Sequence, residues 1–422
     1  MDDVLRREVS TFEGAVPLGT LPPVGQVPDT MTALVVRQDR FGSPTSAFVV
    51  EEDVPVPRIG PGEVLIAVMA AGVNYNNVWA ARGYPVDVIA LRQRAGEPED
   101  FHIGGSDASG IVYAVGEGVD DIAVGSEVII HPGYWDADDP WIAAGKDPMI
   151  APSARIWGYD TNYGSFAQFA RVQAHQVLPK AEHLSWAEAA APTLVGTTAY
   201  RMLHGWAGNE IAQDDVVLVW GGSGGLGTQA IQLARLAGAR PVAVVSDDER
   251  GAYAVERGAI GFINRSDYDH WGIPPRVDDA EGQAVWLKSA RAFGKRIWEI
   301  VGERKDPAIV FEHPGAATVP TSVMVCEPGG MVVICAGTAG FDAMVDLRYH
   351  WTRQKRFQGS HGTNDQQAIA YNELVRAGRI DPCLGRTVAF DELPRVHEQM
   401  GRGEDVFGNA VALVGARDTT TT

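Results

Sequence analysis

Six residues that follow a short apolar run have the types and spacing of a phosphate-binding turn. The run is Val216–Trp220, and a stretch with helical periodicity begins directly after the turn. Glycines let the backbone turn tightly and approach a pyrophosphate, while the first turn of a helix offers unpaired N–H groups and the positive end of its dipole. In this strand–turn–helix context the G-x-G-x-x-G pattern predicts a dinucleotide site rather than a purely structural glycine turn. Its residues are Gly222, Ser223, Gly224, Gly225, Leu226 and Gly227.

The end of the next predicted strand indicates which dinucleotide fits. Proteins that bind NAD place an acid there to bind the ribose 2′-hydroxyl, whereas NADP needs small polar and basic residues. Here Ser246 comes first, and Arg250 and Arg265 follow within reach of a 2′-phosphate. Asp247 favours NAD instead, and Arg250 has the alternative role of a solvated residue at a helix start. On balance the sequence predicts NADPH.

The chain lacks the ligand spacing of a catalytic or structural zinc site. A tetrahedral zinc site needs closely spaced Cys, His or acidic ligands. The cysteines are Cys326, Cys335 and Cys383, and the ten histidines are scattered. No nucleophile elbow is present either. We therefore predict no metal, and hydride transfer by the cofactor with the protein orienting the substrate.

The elements that must position these residues begin with a β-rich region. Residues 1–30 are polar and form an N-terminal extension, and short apolar runs broken by turns fill residues 31–190. Val64, Ile66 and Val68 alternate as in a half-buried strand. Repeated short strands with Gly-Pro punctuation predict a partly open, β-barrel-like domain, the first part of a catalytic domain.

Strands and helices alternate in the next region. Residues 191–365 have this rhythm, which predicts a parallel sheet covered on both faces, an α/β Rossmann domain. A charged, tryptophan-bearing stretch at about 266–305 is longer than a usual connection and is predicted to be an insert. Residues 366–422 contain helices and a final apolar strand, and we expect them to rejoin the catalytic domain.

Composition excludes several classes of partner. The 422 residues carry a formal charge of -19, which argues against nucleic acid and anionic membrane surfaces. Three cysteines give no disulfide framework. The N-terminus has no apolar signal segment and no run is long enough to span a membrane, so we expect a cytoplasmic protein. A polyanionic ligand would need a local basic patch.

Four segments give the chain a resemblance to a known family. They are Trp157–Phe166, Pro192–Tyr200, Phe311–Gly315 and Arg353–His361, and they resemble the crotonyl-CoA carboxylase/reductase family of the medium-chain dehydrogenase superfamily. The resemblance runs from about residue 30 to the end. It implies a GroES-like catalytic domain, and NADPH-dependent reduction of a 2-enoyl-CoA followed by attack on CO2 to give a 2-alkylmalonyl-CoA. It also implies a homodimer or homotetramer.

The resemblance assigns three residues to CO2. Asn77, Phe166 and His361 match the family's CO2-binding residues. Amide and imidazole N–H groups can orient the partly negative oxygens of CO2, while an apolar ring excludes the water that would protonate the enolate. Each residue also has a plainer interpretation. Asn77 could cap a helix that starts at Val78, and the other two could be core residues.

The sequence departs from the family pattern at two places. Gly362 follows His361 where the family has an aromatic residue, so we expect a more open site and a longer or branched acyl chain. Tyr84 lies in a Gly-Tyr-Pro segment that is similar to non-carboxylating enoyl thioester reductases, where the tyrosine donates a proton. A plain enoyl-CoA or quinone reductase therefore remains the alternative, and a structural scaffold is a third.

A basic cluster in this acidic chain is the predicted site for the phosphates of CoA. Arg353, Lys355 and Arg356 form it. Coenzyme A carries a 3′-phosphate and a pyrophosphate, which such a patch would bind. The alternative is a solvated face that pairs with the many acids.

Overall fold

The computed structural model describes residues 10–404 and 407–417. The chain divides into two compact units, one formed by Met1–Thr197 with Gly362–Thr422 and the other by Thr198–His361. The first nine residues of the predicted N-terminal extension and the last five of the predicted C-terminal part lie outside the described residues. Each unit is described by itself below.

The described strands have two to ten residues in the first unit and four to six in the second. They are β1 (Ser10–Phe12), β2 (Gln26–Pro28), β3 (Thr30–Arg37), β4 (Val49–Pro55), β5 (Glu63–Gly72), β6 (Phe101–Ile103), β7 (Ala108–Val115), β8 (Glu127–Ile130), β9 (Gly133–Tyr134), β10 (Arg155–Ile156), β11 (Phe169–Gln173), β12 (Val177–Pro179), β13 (Val216–Trp220), β14 (Arg240–Val245), β15 (Gly261–Asn264), β16 (Ile309–Glu312), β17 (Met331–Ile334), β18 (Arg356–Gly359), β19 (Leu384–Val388) and β20 (Asn409–Leu413).

The described helices range from single turns to six turns. They are α1 (Pro44–Ala47), α2 (Asn76–Arg82), α3 (Val88–Arg94), α4 (Pro140–Ala143), α5 (Trp186–Ala190), α6 (Thr193–His204), α7 (Gly225–Leu236), α8 (Asp248–Glu256), α9 (Ala280–Val301), α10 (Val319–Val325), α11 (Leu347–Trp351), α12 (Asp365–Arg376) and α13 (Leu393–Gly401).

The first unit is built on a seven-stranded sheet with β5 at its centre. The strand order is β12-β8-β7-β5-β20-β19, with β11 also paired to β5, and a three-stranded sheet β4-β3-β6 lies beside it. The alternation in β5 predicted one exposed face, but almost every residue of this strand is buried. The prediction is wrong because α5 covers the second face, where Trp186 and Ala187 pack against Met69 and Ala70.

The C-terminal part of the chain completes that sheet. Strand β20 pairs antiparallel with β5, with Val411 opposite Gly72 and Leu413 opposite Ala70. Strand β19 then pairs parallel with β20. Strands β19 and β20 therefore join a sheet whose other strands come from the first 180 residues, so the first unit is built from both the N-terminal and the C-terminal parts of the chain.

The second unit contains the predicted parallel sheet. Six strands lie in the order β15-β14-β13-β16-β17-β18, and every neighbouring pair is parallel. Strand β13 is buried along its whole length, as expected for a sheet covered on both faces. The predicted insert contributes α9, whose Phe293 stacks on Trp220 with ring centroids 5.8 Å apart. The insert is therefore part of the core of this unit.

Candidate cofactor site and active site

The glycines of the turn between β13 and α7 differ in how much space surrounds them. A Cβ on Gly222 would lie 2.6 Å from Ala243 Cβ, and a Cβ on Gly227 would overlap the carbonyl oxygen of Gly221. These two positions are glycine because the fold leaves no room. A Cβ on Gly224 would meet only the Gly221 carbonyl oxygen, at 3.6 Å, so space is open there. Gly224 is also the N-cap of α7 and offers no side-chain cap.

An open cradle therefore lies beside the first turn of a twelve-residue helix. The first-turn N–H groups of a helix have no acceptor within the helix. With no side chain at the N-cap to satisfy them, these groups can bind an anionic group that approaches through the space at Gly224. The residues present thus fit a dinucleotide pyrophosphate.

The end of β14 brings the predicted 2′-phosphate residues next to this turn. The guanidinium of Arg250 lies 3.4 Å from the hydroxyl oxygen of Ser223 and pairs with Asp247 at 3.3 Å. Asp247 caps α8 by accepting from the backbone N–H of Arg250, and that bond contributes most to a lowered pKa of the Asp247 carboxyl. Ser246 donates to the same carboxylate. The carboxylate of Asp247, which favoured NAD in the sequence, is therefore already engaged in capping α8 and in pairing with Arg250.

Arg265 lies on the next connection along the sheet edge. It directly follows β15 and is exposed. The hydroxyl of neighbouring Ser266 donates to the backbone carbonyl of Ser246 at 2.9 Å, which ties this connection to the end of β14. Ser246, Arg250 and Arg265 therefore belong to one edge of the parallel sheet, together with Ser223 of the glycine turn.

A buried acid behind the turn was not singled out from the sequence. Glu312 ends β16 and is fully buried. Its carboxylate accepts from the hydroxyls of Thr318 at 2.7 Å and Ser322 at 2.6 Å, and burial raises its pKa to about 7. Ser322 in turn accepts from the indole N–H of Trp220, the last residue of β13. This network fixes the strand end from which the glycine turn begins.

Asn77 and Phe166 are brought together in the first unit. The side-chain oxygen of Asn77 accepts from the backbone N–H of Gly105 at 3.1 Å, and the backbone N–H of Phe166 donates to the carbonyl of Gly104 at 2.9 Å. Both side chains are fully buried. Asn77 is the second residue of α2, whose N-cap is Tyr75, so the alternative of a capping role for Asn77 is wrong.

The loop that joins these two residues also carries a second buried acid. Asp107 is fully buried, accepts from the Asn74 amide at 2.7 Å, and accepts from the backbone N–H of Leu194. Burial raises its pKa to about 7, against the effect of those two hydrogen bonds. No sequence motif pointed to Asp107, because its role depends on α6 beginning at Thr193 beside it.

The two remaining predicted catalytic residues are exposed. Tyr84 follows α2 and has 61% of its surface accessible. His361 is the last residue of the second unit and is also exposed. Tyr84 lies in the same unit as Asn77 and Phe166, whereas His361 continues directly into Gly362 of that unit.

The open space predicted at Gly362 is filled. Gly362 has a φ of 60°, and a Cβ there would lie 2.6 Å from Met149 Cε and 2.8 Å from Ile156 Cδ1. The residue is glycine because both its backbone conformation and its neighbours require it. The physical reason for expecting a wider site is therefore wrong. The space beside Gly362, where the family has an aromatic residue, is filled by Met149 and Ile156.

The three residues of the predicted CoA cluster, which precede and begin strand β18, do not form one exposed patch. Lys355 is buried, and its ammonium donates to the carbonyls of Val323 at 2.7 Å and Met324 at 3.1 Å. This arrangement argues against a phosphate-binding role for Lys355, because its donors close the C-terminal end of α10. Arg353 is exposed, and Arg356 donates to the carbonyl of Ala207 at 3.2 Å.

Lys355→Met is expected to lower the free energy of unfolding by about 1–2 kcal/mol. The substitution keeps the apolar stem but leaves two carbonyls at a helix end without their donor. Urea denaturation followed by circular dichroism measures the change. Arg353→Met is the matched control on an exposed side chain, and its effect should stay within about 0.5 kcal/mol. Equal stability of the two variants would contradict this assignment.

Comparison with known proteins first defines the class of protein. Residues 60–182 match the family model described as alcohol dehydrogenase GroES-like domain, and residues 225–377 match the model described as zinc-binding dehydrogenase. Together with the parallel sheet and its glycine turn, these matches confirm the predicted fold class, a Rossmann domain with a GroES-like catalytic domain. Among the described residues, none of the helices has the length and apolar character needed to cross a membrane.

The particular family follows from the similar proteins. Crotonyl-CoA carboxylase/reductase of Cereibacter sphaeroides is 48% identical over 95% of this chain and 92% of its own length. The structure of crotonyl-CoA carboxylase/reductase AntE in complex with NADP has a TM-score of 0.92 at 50% identity, covering 96% of this chain and 100% of AntE. The chain belongs to the crotonyl-CoA carboxylase/reductase family.

A more distant structure is of interest for its substrate. The 2-octenoyl-CoA carboxylase reductase CinF, in complex with NADP and 2-octenoyl-CoA, has a TM-score of 0.85 at 35% identity. The alignment covers 93% of this chain and 90% of CinF.

Proposed function

We propose that this protein catalyses the NADPH-dependent reductive carboxylation of a 2-enoyl-CoA, crotonyl-CoA or a longer chain, to a 2-alkylmalonyl-CoA. The observation that carries the proposal is the 48% identity to a crotonyl-CoA carboxylase/reductase over 95% of the chain. Relatives named for crotonyl-CoA and for 2-octenoyl-CoA support both chain lengths.

The cofactor is NADPH, and the chain offers residues for both of its ends. When bound, NADPH supplies the hydride that reduces the β-carbon of the enoyl thioester. The turn Gly222–Gly227 would hold the pyrophosphate at the start of α7. Ser246, Arg250 and Arg265 would hold the 2′-phosphate, with Arg250 already positioned beside Ser223.

Arg250→Gln is expected to lower kcat/KM for NADPH about tenfold and to leave that for NADH nearly unchanged. A guanidinium pairs with a 2′-phosphate that only NADPH carries, whereas an amide does not. Initial rates with both cofactors measure the ratio. Arg257→Gln, just beyond the other end of α8, is the matched control and should change neither value. A parallel loss with both cofactors would rule out 2′-phosphate recognition by Arg250.

The chain's own residues would hold CO2 and keep water away. We propose that Asn77 and His361 orient its oxygens through N–H groups and that the buried Phe166 ring excludes water. One N–H of the Asn77 amide bonds to Asn76 at 2.9 Å, and the side-chain oxygen is bound to Gly105. The amide is therefore fixed in orientation before any ligand arrives, which is what capture of a small uncharged molecule requires.

The CoA phosphates and the assembly state extend this proposal. Arg353 and Arg356 are the proposed phosphate contacts, without Lys355. We also propose a homodimer or homotetramer, which size-exclusion chromatography with light scattering measures directly.

Product analysis tests the function. NADPH oxidation is followed with crotonyl-, hexenoyl- and octenoyl-CoA, with and without bicarbonate plus carbonic anhydrase, and the products are identified by mass. A product heavier by one carboxyl group, formed faster with CO2, is the expected result. Saturated acyl-CoA alone, at a rate indifferent to CO2, would instead establish a plain reductase with Tyr84 as the candidate proton donor.

A further inference from the structure

The first unit contains a cluster of three side chains that meet at one carboxylate oxygen. None of the three has been assigned a role above. The Oδ1 atom of Asp365 lies 3.0 Å from His131 Nε2 and 2.8 Å from His175 Nδ1. His131 follows β8, His175 lies between β11 and β12, and Asp365 is the first residue of α12. The cluster therefore connects the start of a C-terminal helix to strands from the N-terminal half of the chain.

The hydrogen bonds of His131 fix its protonation. Its Nδ1 faces the backbone N–H of Gly133 at 3.2 Å and must accept, so the proton is on Nε2. Nε2 then donates to Asp365 and to the carbonyl of His175 at 3.2 Å. Two imidazoles and a carboxylate could also bind zinc, but an Nε2 that faces two oxygen acceptors has no lone pair for a metal. Hydrogen bonds, rather than a metal ion, therefore hold the cluster together.

The side chain of His175 lies between two oxygen atoms. The Gln173 amide donates to the carbonyl of Trp135 at 2.8 Å and accepts from its N–H at 3.3 Å, so the Gln173 oxygen faces His175 Nε2 at 2.7 Å. The other ring nitrogen, Nδ1, faces Asp365. The His175 ring stacks on the Trp135 ring with centroids 4.2 Å apart.

The Asp365 carboxylate is the anionic member of the cluster. Burial raises the pKa of Asp365, but hydrogen bonds from His131 and His175 outweigh it and lower the pKa to about 2. A charged, partly buried pair with a third donor is held more firmly than an exposed ion pair.

The cluster ends a segment in which every residue lies close to residues 131–156 or to His175. The segment is 362–365, directly after His361. Its contacts are Gly362 against Met149 and Ile156, the Thr363 carbonyl against Gly133, the Asn364 amide on the Asp147 carboxylate at 3.3 Å, and Asp365 on His131 and His175.

We propose that His131, Asp365 and His175 form a latch that positions His361 for CO2, and that all three are positioning residues of the carboxylation step. The peptide that carries His361 leaves β18 on one side and enters the latched segment on the other. Releasing Asp365 frees that second anchor while leaving the cofactor turn untouched. This inference rests on the proposed function, in which His361 orients CO2.

The test compares Asp365→Ala, Asp365→Asn and Glu373→Ala. The oxygen of the asparagine amide can still accept from His131 and His175, and Glu373 forms an exposed ion pair with Arg376 on the same helix. In Asp365→Ala we expect the KM for CO2 to rise roughly fivefold to tenfold and the carboxylated fraction of product to fall. The KM values for NADPH and enoyl-CoA should stay within about twofold. Asparagine should restore most of the carboxylation, and Glu373→Ala should behave as wild type.

Hydrogen exchange of residues 362–372 is measured on the same variants. Faster exchange in Asp365→Ala, but not in Glu373→Ala, is expected from a released segment. Unchanged exchange would show that no latch exists, and faster exchange with unchanged CO2 kinetics would overturn the positioning role. If Asp365→Ala does not fold, His175→Ala, a partly exposed position, replaces it. A wild-type enzyme that forms only saturated acyl-CoA would refute the proposed function, while the exchange data would still decide whether the cluster holds the segment.

Discussion

Gly224→Ala is expected to weaken NADPH binding about tenfold while leaving the protein as stable as wild type. The methyl group fits the folded chain, because the only neighbouring atom is the Gly221 carbonyl oxygen at 3.6 Å and the backbone φ is -83°. It would nevertheless occupy the space beside the first turn of α7 through which a pyrophosphate must approach. The loss is therefore expected in cofactor affinity alone. Fluorescence titration with NADPH and thermal unfolding measure the two quantities.

Two matched variants complete this experiment. Gly294→Ala introduces the same methyl group into α9 of the same unit, where its nearest neighbour is Val325 at 3.7 Å. It should leave the affinity for NADPH unchanged and raise the free energy of unfolding by up to about 1 kcal/mol, because alanine favours a helix interior over glycine. Gly227→Ala would overlap the Gly221 carbonyl, so it should impair the fold as well as binding. If Gly224→Ala binds NADPH as wild type does, the cradle is not the pyrophosphate site.

His361→Asn is expected to convert a mainly carboxylating enzyme into a mainly reducing one. Loss of one well-placed N–H donor to CO2 corresponds to roughly 1.4 kcal/mol, or about a tenfold lower rate of carboxylation at fixed CO2. The hydride step should continue, because the cofactor turn is unaltered and His361 is exposed, so its replacement leaves the core intact. Mass analysis of the products at a fixed CO2 concentration gives the carboxylated fraction directly.

The control is a histidine with similar exposure and no proposed role. His183→Asn lies in the first unit, is exposed, and should leave both the rate and the product ratio unchanged. A His361→Asn enzyme that loses reduction and carboxylation to the same degree would argue that His361 acts on the thioester or the fold, and would remove it from the CO2 site.

Local patterns predicted the parts of this protein that depend on near neighbours in the chain. The glycine turn was located correctly because a buried strand, three spaced glycines and a helix form one continuous stretch. The S-x-x-E spacing of Ser185 and Glu188 forms a capping box in the structure for the same reason, since both partners lie at the first turn of α5. Asp247 favoured NAD in the sequence only because the sequence does not show that its carboxylate caps α8 and pairs with Arg250.

Contacts between distant segments required the tertiary structure. Lys355 lies in one basic run with Arg353 and Arg356, but its side chain is buried and its ammonium donates to carbonyls some 30 residues earlier. From the sequence, Gly362 predicted a wider active site. In the structure the space beside Gly362 is filled by Met149 and Ile156, which lie more than 200 positions earlier in the chain.

The sequence by itself determined the parallel sheet and the position of the cofactor turn, because each depends on periodicity or spacing within a few dozen residues, and four segments of the sequence carried the resemblance to the family. Only the tertiary structure decided which polar groups are buried and paired. Burial raises the pKa of Asp107 and Glu312, whereas donors from distant segments lower the pKa of Asp365 in the latch. Desolvation and hydrogen bonding depend on three-dimensional neighbours, and a linear pattern does not specify those.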